Sequence, residues 1–179
     1  MVVCAVCGER GPGVAVWLAL YETVSRETRH NVVAVATSGH EYDNAGGEAF
    51  LAHKAPEPVT CAAWIHLGAN LAARDWHDLG PELLPMVTPD PQRYFVASEP
   101  FVEAARRSFK GLSGLENVYP ASAGAAGELK AILRSGYKAA GVFGAHRFHH
   151  VANDELSCVD PQFLPALFQL FKKLIVATL

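Results

Sequence analysis

The chain has little cysteine, little charge and no long apolar run, and each shortage closes a class of explanation. Four cysteines, Cys4, Cys7, Cys61 and Cys158, among 179 residues are too few and too scattered for a disulfide scaffold. Cys4 and Cys7 have the spacing of half a metal site or a redox pair. No second such pair follows, and both lie in an apolar run, so they read as buried structural thiols. Charged residues make up 18% of the chain and the formal net charge is -3. That balance gives no reason to expect nucleic acid or an anionic membrane as partner. No apolar stretch reaches the length of a transmembrane helix. The start, Met-Val-Val-Cys-Ala-Val-Cys, has neither a positive n-region nor a cleavage site, so the expected location is cytoplasmic. A strand-like run begins at Val2 without lead-in, and this abrupt start predicts that some N-terminal structure is missing.

Half of the residues are hydrophobic, enough for a packed core, and the length fits one domain over residues 1–179. Apolar pattern alternates along it. Val2 to Val6 reads as a strand, and the turn from Gly8 to Gly13 opens a helix near Pro12. Val14, Trp17, Leu18, Tyr21 and Val24 recur there at helical spacing and predict one apolar stripe. Asn31 to Ser38 is a β-branched run of the kind buried on both faces in a parallel sheet. Glu48 to His53 is helix-like, Thr60 to Leu67 is another buried strand, and the proline-rich stretch from Asp75 to Pro91 reads as loops before a short strand at Arg93–Ala97. Helices over Pro100–Lys110 and Gly127–Ser135 alternate with strands over Leu115–Tyr119 and Tyr137–Phe143. A closing helix from Asp160-Pro161 carries Phe163, Leu164, Leu167, Phe168, Phe171, Leu174 and Ile175 on a wide apolar face. This alternation predicts an α/β fold with a mostly parallel sheet. Trp17, Trp64 and Trp76 read as core or pocket-wall aromatics, and Arg106, Arg107 and Lys110 as a solvated helix face.

Chemistry concentrates at strand tips. The Asn31–Ser38 run stops at Gly39, and His40 and Glu41 follow at its carboxyl end, where open α/β sheets place their ligands. His146, His149 and His150 sit within five positions just after the Tyr137–Phe143 strand, with Asp154 four residues beyond His150. Imidazoles and carboxylates are ligands that zinc takes, and a neighbouring carboxylate commonly orients a ligating imidazole. With Glu9, three strand tips offer candidate ligands at one edge of the expected sheet. Taken singly, each group reads better as a ligand-free, solvated loop; their convergence at one edge is the argument for a site.

The order of strand, polar pair, glycine turn, helix and strand, then a late His150-x-x-x-Asp154 followed by Val159-Asp160-Pro161 and a terminal helix, resembles the zinc-dependent aminopeptidase family. Its relatives include bacterial secreted aminopeptidases, glutamate carboxypeptidase and glutaminyl cyclase. The resemblance runs from about Cys7 to the terminus; it is clear over Val32–Phe50 and His149–Pro161 and weak from Asp75 to Gly124. It implies a zinc-exopeptidase-like three-layer α/β fold, with helices on both faces of a mostly parallel mixed sheet. It also implies peptide or small amide substrates. In the family the strand ends in Glu-Glu, first the general base and then a zinc ligand. Here Glu41 matches the ligand and His40 stands in the place of the base. The late signature makes His150 a ligand and Asp154 a support for its loop, and Glu9 stands in the position of the carboxylate that bridges two metals.

The departures are as specific. The family's next ligand is an Asp at the end of the following strand; His66-Leu67-Gly68-Ala69-Asn70 puts Gly68 there. The family's upstream His-x-Asp has no counterpart before Glu9. What the resemblance leaves is one zinc position on Glu9, Glu41 and His150 with a fourth site open, His40 as base, and His66 and His149 as neighbours. A longer chain that regained His-x-Asp would restore a two-metal reading. The alternative is a pseudo-peptidase that binds no metal and keeps the fold as a binding or structural module, since a fold does not carry its reaction with it.

Overall fold

The computed structural model describes residues 2–6, as backbone, and 11–179. The Cys4 and Cys7 thiols and the whole of Glu9 therefore lie outside the described residues. Strand β1 (Val2–Val6) leads into helix α1 (Gly11–Glu27), strand β2 (Val32–Ala36) and helix α2 (Ala45–His53). Strands β3 (Ala63–Leu67), β4 (Arg74–Asp78), β5 (Leu83–Pro89) and β6 (Arg93–Ala97) come next. Helix α3 (Glu99–Ser108), strand β7 (Val118–Pro120), helix α4 (Gly127–Arg134), strand β8 (Ala139–Gly144) and helix α5 (Leu164–Thr178) complete the order.

Six strands form one sheet in the order β2-β1-β3-β8-β6-β7. Every neighbouring pair is parallel except β6 with β8. The fold is thus α/β with a mixed, mostly parallel sheet. Strand residues alternate between two apolar clusters, as a period of two requires. Ala63, Ile65 and Leu67 of β3 join Val16 and Leu20 of α1, Phe101 and Ala105 of α3, and Leu167, Phe171 and Leu174 of α5. Trp64, between them in sequence, joins Leu129 and Ile132 of α4 and Tyr137. In the first cluster Phe109 meets Phe95 and Phe171 edge to face, with ring centroids 4.5 and 5.0 Å apart. Such pairs add about 0.5–1.5 kcal/mol each beyond the area they bury. Among the described residues no helix is long and apolar enough to cross a membrane.

Two expectations change. On α1 the buried residues are Gly13, Val16, Leu20 and Val24, whereas Val14, Leu18 and Tyr21 are 39%, 52% and 40% exposed. The helix has apolar residues on two adjoining faces, so periodicity does not choose between them; packing against α5 and the sheet chooses Val16 and Leu20. The stretch from Asp75 to Pro91 is not all loop, because β4 and β5 pair as a separate antiparallel ribbon. Pro85 and Pro89 fit there because a two-stranded ribbon leaves each strand one unpaired side, where a missing N–H costs nothing.

Candidate functional site

Because β1, β2, β3 and β8 run parallel, their carboxyl ends share one edge, and the loops that follow β2, β3 and β8 meet there. The loop after β2 turns sharply. Gly39 has φ 77°, and Asp43 and Asn44 have φ 53° and 60°. Tyr42 N–H donates to Gly39 O and Gly46 N–H to Ser38 O, both at 3.0 Å. A Cβ on Gly46 would lie 2.4 Å from Ser38 O, so a glycine is what lets α2 begin directly against the strand end. This turn holds His40 and Glu41 at the tip.

His40 Nδ1 lies 3.1 Å from both carboxylate oxygens of Glu128, which is in the first turn of α4 and 4% exposed. Glu128 is gripped from several sides. The Asn44 side-chain amide, its nitrogen turned toward the carboxylate, lies 3.2 Å from Oε1 and Oε2 and 3.0 Å from His40 Nδ1. A Cβ on Gly47 would come within 2.9 Å of Glu128 Cγ, so α2 and α4 approach closely only across a glycine. The start of a helix also favours a negative group.

The loop after β8 brings the other candidates. Glu41 Oε1 is 3.4 Å from His150 Nε2, and both side chains are well exposed. His150, at φ 62°, stacks on His149 with ring centroids 3.9 Å apart. Asp154 Oδ2 faces His146 Nε2 across 3.5 Å. Asn70 ties this loop down: its Nδ2 donates to Asp90 Oδ1 at 3.0 Å and to Gln92 O and Ala145 O at 3.1 Å. Arg147 N–H donates to the same Asp90 carboxylate at 3.3 Å. Buried Arg93 donates to Leu71 O at 2.9 Å and to Ser113 O, holding the loop after β3. Burial pulls its guanidinium down to about 10, against the upward pull of Glu116 and Asp90.

His40, His66, Glu128 and His149 line one cleft of about 340 Å³, with Tyr94 and Phe143 as its aromatic wall. It adjoins an apolar hollow of about 550 Å³ between Tyr94, Val96, Tyr119, Phe143 and the Gly124–Ala126 loop. His66 is 2% exposed on β3, packed where a Cβ on Gly141 would meet its own Cβ at 2.7 Å. The structure thus brings together His40, His66 and His149 in the cleft, and Glu41 with His150 as a pair. No group of three or more His, Cys, Asp or Glu side chains among the described residues is arranged to hold a metal. Glu9, the third ligand the resemblance implies, is outside those residues.

Glu128 escaped the sequence reading. An acidic residue in a first helical turn is the ordinary solvated case, and what distinguishes this one is burial under α2. The only local hint is Gly127, whose φ of 57° a side chain would strain.

No family profile matches the chain, and no curated protein matches it in sequence. Solved structures do resemble it in fold. One titled "Aminopeptidase from Aneurinibacillus sp. strain AM-1" superposes with a TM-score of 0.70 at 14% identity, over 99% of this chain and 43% of that one. A second, of the Legionella pneumophila LapA aminopeptidase, gives a TM-score of 0.66 at 9% identity, over 98% of this chain and 50% of that one. Another structure of Legionella LapA gives 0.58 at 9% identity, over 98% and 52%. The chain spans about half the length of these proteins. Its fold is aminopeptidase-like, and at this identity the likeness speaks for fold alone.

Proposed function

Starting from the aminopeptidase-like fold, we propose that the chain is a divergent hydrolase of aminopeptidase type, acting on peptides or small amides with one zinc position on Glu9, Glu41 and His150. The observation that carries this reading is the Glu41–His150 pair at 3.4 Å, formed by residues 109 positions apart in sequence beside a cleft that His40 lines. A carboxylate and an imidazole at that separation fit two corners of a zinc site, and both are exposed enough to turn toward an ion. A zinc ion there would supply Lewis-acid polarisation of an amide carbonyl and acidification of a water.

The chain's own residues do the rest. His40, held on Glu128 at the cleft edge, takes a proton from the attacking water and can return it to the leaving amine, the two-way role that suits imidazole. Tyr94 and Phe143 give an apolar side chain of the substrate a wall to lie against. The second metal position of the family is closed in this reading, because Gly68 stands where its aspartate would be and the space beside it is taken. The two core clusters support a three-layer arrangement with helices on both faces of the sheet. We extend the reading to one domain over residues 1–179 and to a cytoplasmic protein.

The test is hydrolysis of aminoacyl 4-nitroanilides and dipeptides by zinc-supplemented protein, wild type against His40→Ala. The expected result is a loss of roughly 10²–10⁴-fold in kcat for the variant, with zinc content unchanged. Equal turnover in the two proteins would remove His40 from the chemistry. No turnover at all by folded wild type would favour a second reading, a non-catalytic binding or structural module. The same Gly68 and the want of a three-residue metal group among the described residues speak for that alternative.

A further inference from the structure

We propose that Glu128 is the positioning residue of His40: it holds the ring as the Nδ1–H tautomer and leaves Nε2 as the nitrogen that can work on the cleft. This rests on the reading of His40 as the base. Nδ1 lies at an equal 3.1 Å from Oε1 and Oε2. An ionised carboxylate can only accept, so at that contact the proton sits on Nδ1 and the neutral ring has its lone pair on Nε2; the Asn44 amide nitrogen, 3.0 Å from the same Nδ1, then gives its hydrogens to the carboxylate and not to the ring. The pairing is asymmetric in exposure: the His40 side chain is 32% exposed and that of Glu128 6%. A carboxylate so buried is costly unless donors face it, and here His40 Nδ1 at 3.1 Å and the Asn44 amide at 3.2 Å do so.

The ring is also fixed on its flank. A Cβ on Gly127 would stand 3.5 Å from His40 Cε1, so the imidazole lies close over the helix start. Glu128 cannot readily follow a wandering imidazole, because α2 lies close against it: a Cβ on Gly47 would stand 2.9 Å from its Cγ. The carboxylate is thus the rigid partner and the imidazole the exposed one. That is the division of labour of an orienting acid and a working base.

Nitrogen-15 spectra of the histidine rings test this, with His40 assigned through His40→Ala and recorded at alkaline pH so that the imidazoles are neutral. The expected wild-type spectrum shows His40 with a protonated Nδ1 and a pyridine-type Nε2, and Glu128→Gln loses that pyridine-type Nε2 signal. In the hydrolysis assay Glu128→Gln should lose roughly 10–100-fold in kcat with KM unchanged, and Glu128→Asp should recover part of it. A wild-type His40 protonated on Nε2, or a tautomer unchanged in Glu128→Gln, overturns the proposal. Should Glu128→Gln not fold, the wild-type tautomer decides by itself. Zinc content and turnover of the same wild-type samples separate this inference from the functional reading. Protein without zinc or turnover but with the Nδ1–H tautomer supports the pair and sinks the hydrolase; active zinc protein with His40 protonated on Nε2 does the reverse.

Discussion

A methyl group on residue 68 would lie 2.5 Å from Val142 O and 3.1 Å from His66 Nε2. Gly68 N–H donates to that same carbonyl at 2.9 Å, so the glycine is part of the β3–β8 junction rather than a gap awaiting a ligand. Gly68→Asp should therefore destabilise the protein by about 1–3 kcal/mol, as overpacking does, and should add no second metal. Urea denaturation and metal analysis of the variant check both halves. A variant as stable as wild type that takes up a second zinc would show that the junction has room. At this scale the sequence was informative where chemistry is local and silent where it is not. His40 and Glu41 stood out because they end an apolar run, and Gly68 because a ligand was expected there. Glu128 looked like any first-turn acid; what makes it special is its contact with His40, 88 residues earlier in the chain.

Elements show the same division. The β3 and β8 runs were legible because buried parallel strands are continuous apolar segments; β2 was legible as an apolar run, but the burial on both faces expected of it is not found, since it is the edge strand and only Val35 is buried. The β4–β5 ribbon was not, since prolines that forbid a central strand are harmless in a two-stranded one. The ribbon is tied to the histidine-bearing loop by Arg147 Nη2, which donates to Asp78 Oδ2 at 2.6 Å, and by Trp76 packed edge to face on Phe148 at 5.2 Å. The Gly80 backbone N–H, and after it Arg147, hold the Asp78 carboxyl below its ordinary range. A carboxyl whose folded pKa is depressed stabilises the folded contact above its unfolded pKa and loses that contribution as pH falls through the folded value. The ribbon should therefore hold its place at neutral pH and loosen from the loop below about pH 4. Carbon-13 titration of Asp78 beside amide exchange in β4 and β5 follows this; ribbon amides equally protected throughout would show that the Trp76–Phe148 contact suffices. Asp78→Asn should bring the same loosening to neutral pH.

Over the whole molecule, topology does what no single residue could. Four parallel strands put the loops carrying His40, Glu41, Gly68, Asn70, His146 and His150 at one sheet edge. α4 runs back from that edge and so delivers Glu128 to it. The alternation of apolar runs made the α/β class readable. The antiparallel placement of β6 against β8 was not readable, because strand direction is set by the long connections through β4 and β5 and leaves no mark on strand composition. Helix faces were half readable: α1 has two apolar sides, and only its packing against α5 and the sheet selects one.

Zinc content of the purified, folded protein, measured by plasma mass spectrometry after loosely held ions are removed, tests the central claim most directly. Wild type should hold about one zinc per chain, as a single three-ligand site requires, and Glu41→Ala and His150→Ala should each lose it. Folded wild-type protein without metal, or zinc fully retained in both variants, would contradict the assignment and leave the Glu41–His150 pair as a surface contact.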